Sequence, residues 1–168
     1  MVLGWLEKLY VKKWYHGQGL KNTINHLDLY AKGVRTNGKY HFDFWVACLE
    51  KDPFGLLMTS PIEGPCNPQD PYNKWFEEGK EIITLNILIG EESFLGKGLG
   101  QRMIREFLLE KFPKCDKVLI DPDANNTKAI HVYEKVGFRK LEEFCPNYNP
   151  TPHWMMHLDM KYSIKEEQ

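Results

Sequence analysis

The run FLGKGLGQ, Phe94 through Gln101, places glycines at 96, 98 and 100, three residues after the apolar segment EIITLNILIG and directly before a helical pattern. Glycine stands where a backbone must turn tightly or approach another group closely. A strand, a glycine turn and a helix in succession leave unpaired N–H groups at the helix start. With the helix dipole, these favour an anion. Lys97 adds a positive charge within the turn. The turn thus joins a strand to a helix N-terminus, a unit that suits an α/β or α+β domain.

The flanking pattern extends this reading. Trp5, Leu6, Leu9, Tyr10 and Trp14 recur at helical spacing, and Gly17 and Gly19 break the pattern. A second helix is expected from Leu20 to about Lys32, with Ile24, Leu27 and Tyr30 or Ala31 on one face and Gly33 as its stop. Asn37-Gly38 marks a turn, YHFDFWVACLE a strand, and Asp52-Pro53 a turn into FGLLMTSPI, the return strand of a hairpin. Gly64 to Asn73, with Pro65, Pro68 and Pro71, is a long loop of the kind that often carries function. EIITLNILIG reads as a strand buried on both faces. From Gly98 to Phe112 two apolar rows make one helix face, ended by Pro113. KVLID is a short strand. Asn125 or Asn126 caps a helix that carries Ala129, Val132, Tyr133 and Val136 inward and stops at Gly137. Phe138–Phe144 and His153–Tyr162 are strand candidates. The expected fold is a single α/β (α+β) domain over residues 1–168, with one central mixed sheet flanked by helices.

Composition excludes more than it assigns. Of 168 residues, 22 are Lys or Arg and 23 Asp or Glu, so there is no basic footprint for nucleic acid. No apolar run is long enough to span a bilayer, and the amphipathic, charged N-terminus does not read as a signal peptide, so a cytoplasmic protein is expected. Cys48, Cys66, Cys115 and Cys145 form no CxxC pair; they are read as buried or half-buried thiols, with no metal site. His153 and His157 would share a strand face roughly 13 Å apart, too far for one ion, and His131 is read as a helix-surface residue.

The glycine turn is not a P-loop, because Gly98 follows Lys97 where Ser or Thr is needed and Glu91 occupies the place of the first glycine. Its third glycine is one residue early for the dinucleotide fingerprint. Leu95, Gly96, Lys97, Gly98, Leu99 and Gly100 resemble instead the pyrophosphate loop Q/R-x-x-G-x-G/A of the GNAT acetyltransferases, with Leu95 in the Gln/Arg place. NTKAIHVYEKVGF, Asn126 to Phe138, resembles that family's N-x-x-A-x-x-x-Y-x-x-x-G-F, one helix and one strand downstream. IDPDANN, WFEE and the N-terminal WLEKLYVKKWYHG further resemble the aminoglycoside 6'-N-acetyltransferase branch and its siderophore-acylating relatives.

The resemblance implies transfer of an acetyl group from acetyl-CoA to a primary amine of a small molecule, an aminoglycoside 6'-amino group being one such acceptor and antibiotic resistance the consequence. It implies main-chain contacts to pantetheine at Leu88 and Ile89, pyrophosphate held by residues 95–100, a pantetheine hydrogen bond from Asn126, and Tyr133 as general acid to the departing thiolate. Asp121 takes an acidic position that faces the substrate amine, and Trp75, Glu77 and Glu78 are further substrate-binding candidates. Many relatives dimerise through their last strands, so the resemblance also admits a homodimer. There are two departures. Asn86 stands where the branch carries the aspartate treated as catalytic base, and an amide does not accept the amine proton. The family's opening strand is missing or very short. Three readings stay open: an N-acetyltransferase of small amines, an acyltransferase of a siderophore precursor or protein N-terminus, and an acyl-CoA-binding module without catalysis.

Overall fold

A computed structural model of the chain describes residues 1–38, 40–64 and 71–163. Two short helices, α1 (Val2–Leu6) and α2 (Leu9–Lys12), precede α3 (Gly17–Ala31). A small hairpin, β1 (Thr36–Asn37) and β2 (Tyr40–His41), leads to β3 (Asp43–Leu49) and β4 (Asp52–Pro61). A 3-10 turn at Pro71–Trp75 precedes β5 (Ile82–Ile89). Then follow α4 (Leu99–Lys111), β6 (Lys117–Ile120), α5 (Thr127–Val136), β7 (Arg139–Phe144), β8 (His153–Asp159) and a terminal turn α6 (Met160–Ser163). No strand precedes α1, as the sequence led us to expect.

The six long strands form one mixed sheet in the order β3-β4-β5-β6-β8-β7. All neighbours are antiparallel except β5 and β6. The crossover from β5 to β6 carries α4, as parallel neighbours require. α4 and α5 pack on one face: Met103, Ile104, Phe107 and Leu108 of α4 join Ile130, Tyr133 and Val136 of α5 over Leu57, Leu85, Val118 and Met156. The N-terminal helices cover part of the other face, where Trp5 meets Leu56, Met58 and Leu88. Burying an apolar side chain of this size contributes about 1.5–3 kcal/mol, so these two clusters fix where each helix starts and ends around the central strands.

Several expectations are corrected. The N-terminal helical pattern is split at Glu7–Lys8 into two short helices, and Gly17 opens α3 rather than ending its predecessor. Thr23, not Ile24, is the buried residue of α3, and Ala31 is exposed. The β3–β4 turn falls on Glu50–Lys51, with Glu50 at φ 56°, while Asp52 and Pro53 already belong to β4. β5 is buried at its start, but Asn86 is exposed and Ile87–Ile89 are half-buried. The final strand stops at Asp159 and turns helical. Cys115 is buried, whereas Cys48 and Cys145 are exposed because they lie at the ends of the edge strands β3 and β7. Cys66, and most of the proline-rich loop, lie outside the described residues.

Candidate active site

β5 and β6 pair only from Ile82 to Thr84 against Lys117 to Leu119. Beyond that, β5 stays on β4 through Ile89, while β6 follows β8 up to Ile120. The two central strands therefore part, and main-chain groups of β5 face the opening instead of a neighbour. The register says which. Ile62 N–H donates to Ile82 C=O (2.9 Å) and Gly90 N–H donates to Phe54 C=O (2.7 Å), so the even-numbered residues of β5 turn their main chain to β4. Asp116 N–H donates to Glu81 C=O (2.9 Å) on the opposite side. Ile87 and Ile89 thus face the gap and Leu88 does not, which corrects the pair expected from the resemblance. Leu88 contributes its side chain to the site.

The gap opens into a cavity of about 570 Å³. One end is the glycine turn. Gly96 and Gly98 adopt φ of 72° and 74°, a conformation other residues enter at a cost, and a Cβ at either would meet no protein atom within 4 Å. Gly98 is the N-cap of α4 and offers no side-chain acceptor, so the first-turn N–H groups remain available to an anion. Leu95, Leu99 and Gly100 line the same end. Lys97 does not line it; its ammonium lies 5.7 Å from the Phe94 ring centroid. Lys128, in the first turn of α5, is the basic side chain that does, and the sequence reading missed it. Its only signal was its place one turn upstream of Val132 on the same helix.

Asn126 caps α5, its Oδ1 accepting from Ala129 N–H at 3.3 Å, and the residue lines the cavity. Tyr133, deeper in the cavity, is buried. Desolvation, and secondarily the charge of Asp121, pushes its pKa well above the ordinary phenol value, so the hydroxyl is a proton carrier at all working pH.

Asp121 follows β6 directly, is buried, and lines the cavity. Tyr148 Oη donates to its Oδ2, and His153 Nδ1 lies 3.6 Å from the same oxygen. Burial, and after it the Asp121 charge, also raises the pKa of Tyr72 and Tyr148. Asn86 is exposed on β5 opposite Met58 and, with Met58 and Tyr15, borders both this cavity and a second one of about 280 Å³. The second cavity is bounded by Tyr40, Phe42, Phe44, Tyr72 and Tyr148, with Glu63 at its margin.

The remaining substrate candidates are placed elsewhere. Trp75 packs edge-on against Phe144 (ring centroids 5.4 Å apart) and Tyr72, inside a core cluster. Glu77 pairs with Lys80 and Lys117, and Glu78 is exposed; none of the three lines either cavity. His131 is exposed, as expected, while His153 is buried and engaged rather than merely lining a strand. Among the described residues no group of three His, Cys, Asp or Glu side chains could hold a metal ion. Among the same described residues no helix is long and apolar enough to cross a membrane.

Residues 1–145 match the model of the acetyltransferase (GNAT) domain. The chain belongs to the GNAT acetyltransferase family. An aminoglycoside N(6')-acetyltransferase from Legionella pneumophila is 34% identical, with a TM-score of 0.80 over 95% of this chain and 85% of that one. Aminoglycoside N(6')-acetyltransferase type 1 of Klebsiella pneumoniae is 27% identical over 145 residues, 83% of this chain and 68% of its own length. A solved complex of AAC(6')-Ib with ribostamycin and coenzyme A shares the fold at 21% identity, with a TM-score of 0.76 over 99% of this chain and 91% of that one. The GNAT co-substrate is acetyl-CoA, and the cavity has features that fit it: a glycine-capped helix start, a stretch of β5 that has parted from β6, and the buried Tyr133.

Proposed function

We propose that this enzyme acetylates the primary amine of a small molecule, and that the 6'-amino group of an aminoglycoside is the acceptor class to test first. The observation that carries the reading is the single cavity joined by the Gly96–Gly98 turn, the stretch of β5 at Ile87 and Ile89 that has parted from β6, and Tyr133. In this reading the N–H groups of residues 96–100 and the Lys128 ammonium hold the pyrophosphate. Asn126 Nδ2 donates to the pantetheine arm. The Ile89 N–H polarises the thioester carbonyl as a fixed dipole. Tyr133 protonates the departing sulfur. Asp121 supplies the negative charge that draws in an ammonium.

The acceptor class rests on the named relatives, one further member of which is a kanamycin resistance protein from Rhizobium radiobacter, 35% identical over 71 residues. Release of CoA thiol from acetyl-CoA, measured with a panel of aminoglycosides and simpler amines, tests it. Release with aminoglycosides supports the reading, release with another amine class moves the acceptor to a siderophore precursor or a peptide N-terminus, and tight acetyl-CoA binding without release favours a binding module. Asn86 is the observation behind that last reading. A cytoplasmic location fits a consumer of acetyl-CoA. A homodimer through the last strands fits the exposed edge strand β7.

A further inference from the structure

We propose that Asp121 takes the proton from the acceptor ammonium in place of the missing carboxylate at Asn86, and that His153 is the residue that positions it for this role. The inference rests on the acetyltransferase reading and assigns the one step that reading leaves without a group.

Two carboxylates line the main cavity, Asp121 and Asp123. Asp123 is committed to its own turn: Oδ1 accepts from Asn125 N–H at 2.8 Å and Oδ2 from Thr151 Oγ1 at 2.9 Å. Asp121 is tied instead to groups that border the second cavity, Tyr148 by hydrogen bond and Tyr72 by charge. It also acts on the buried Tyr133 hydroxyl, so the acid and the acceptor of protons share one pocket.

His153 fixes the carboxylate's setting through a defined tautomer. Asn149 Oδ1 accepts from Thr151 N–H at 3.1 Å, so its Nδ2 is the atom that faces His153 Nε2 at 3.2 Å. Nε2 is therefore an acceptor and Nδ1 carries the hydrogen. That hydrogen is donated to the Asp121 main-chain oxygen at 2.6 Å. The side chain of residue 153 thus pins the backbone from which the carboxylate projects, at a sequence separation of 32.

Protonation of His153 would set two donors against each other at Asn149 and place a cation 3.6 Å from Asp121 Oδ2, competing with the acceptor ammonium. Burial opposes that protonation, but the Asp121 carboxylate outweighs it and the pKa lies above the ordinary imidazole value. The charged group facing His153 besides Asp121 is Asp123, and the Tyr148 ring stands against it at 5.9 Å. Tyr72, Tyr133 and Tyr15, around the same carboxylate, stay neutral because their pKa values are raised.

The step balances as follows. The ammonium loses one proton to Asp121, and the freed nitrogen lone pair forms the C–N bond at the thioester carbon. The C–S bond breaks with its electron pair on sulfur, which takes the Tyr133 proton. The nitrogen's second proton restores Tyr133, and Asp121 returns the first to solvent.

The test measures kcat and KM for the amine across pH at saturating acetyl-CoA, with acetyl-CoA affinity as the check on folding. Asp121→Asn should lower kcat about 100-fold or more while acetyl-CoA binds as before, and adding Asn86→Asp should recover about tenfold. His153→Asn keeps a donor to the Asp121 main chain but cannot become charged, so kcat at the optimum should persist while the acid limb of kcat/KM moves to lower pH. His153→Leu, which loses the donor, should lower kcat as well. Asp121→Asn retaining more than half of kcat, or His153→Asn leaving the acid limb in place, overturns the assignment. Should Asp121→Asn fail to bind acetyl-CoA, the His153→Asn profile decides alone. A wild-type chain that binds acetyl-CoA but releases no thiol with any amine overturns the transferase reading and this assignment together, whereas an active wild type with an unaffected Asp121→Asn overturns only the latter.

Discussion

Gly90→Ala tests the seating of the N-terminal helices on the cofactor strand. A Cβ at position 90 would lie 2.0 Å from Trp5 Cδ2 and 2.2 Å from Cγ, inside the separation of about 3.5 Å that carbons keep. The indole has little room to yield: it is 2% exposed, and its Nε1 donates to Glu91 Oε1 at 2.6 Å. Relief therefore means expelling the ring. An indole buries about 150–250 Å², worth about 4–6 kcal/mol at about 25 cal/mol per Å², and allowing for a compact denatured state leaves about 2.5–5 kcal/mol. For a chain of this length that lowers Tm by about 5–20 °C. Urea denaturation of Gly90→Ala, Trp5→Ala and the double variant makes a cycle. Trp5→Ala alone should cost about 3–5 kcal/mol, and Gly90→Ala should then add almost nothing. Additive losses, or a Gly90→Ala cost below about 1 kcal/mol, would refute the claim that ring and backbone occupy each other's space.

Tyr133→Phe should lower kcat by about 10²–10³-fold with acetyl-CoA affinity unchanged, read by stopped-flow thiol release and calorimetry. Gly98→Ala forces a side chain into left-handed backbone, at about 1–2 kcal/mol, and should weaken CoA binding about tenfold or destabilise the fold by that amount. Glu91 has a pKa below the usual carboxylate value, first through the Trp5 indole N–H and then through Lys8. A carboxylate depressed on folding stabilises above its unfolded pKa, about 4.5, and the benefit is lost as pH falls through the lower folded value. Tm should fall on acidification below pH about 4.5, and Glu91→Gln should flatten part of that fall.

What could be read from the sequence was local. The glycine turn, the Asn126 cap and the Gly137 stop depend on neighbours within one turn, and each sits where the pattern put it. Misreadings arose where distant packing decides. Pro53 looked like a turn residue, yet it pairs with Cys48 at a register shift, and the turn moved to Glu50, whose positive φ has no sequence signature. Gly19 looked like a helix breaker, but a Cβ there would lie 3.2 Å from the Tyr148 ring, so its smallness serves a contact across the fold. Trp75 and Glu77 had the right chemistry for a substrate site but are held by Phe144 and by Lys80 and Lys117. The link from His153 to Asp121 joins strands far apart in the chain, and no spacing rule announces it.

The parting of β5 from β6 has a consequence for how such a protein can change. In the proposed reading the groups offered to the cofactor there are amide N–H and C=O, which every residue but proline carries alike. Side chains along β5 are thus free to drift so long as they fill the core, which accounts for a shared fold at 21–34% identity. An inhibitor that competed for this peptide-lined slot would leave the enzyme few point mutations by which to escape it, whereas one aimed at Asn86, Glu63 and the aromatic wall would meet a surface built of replaceable side chains.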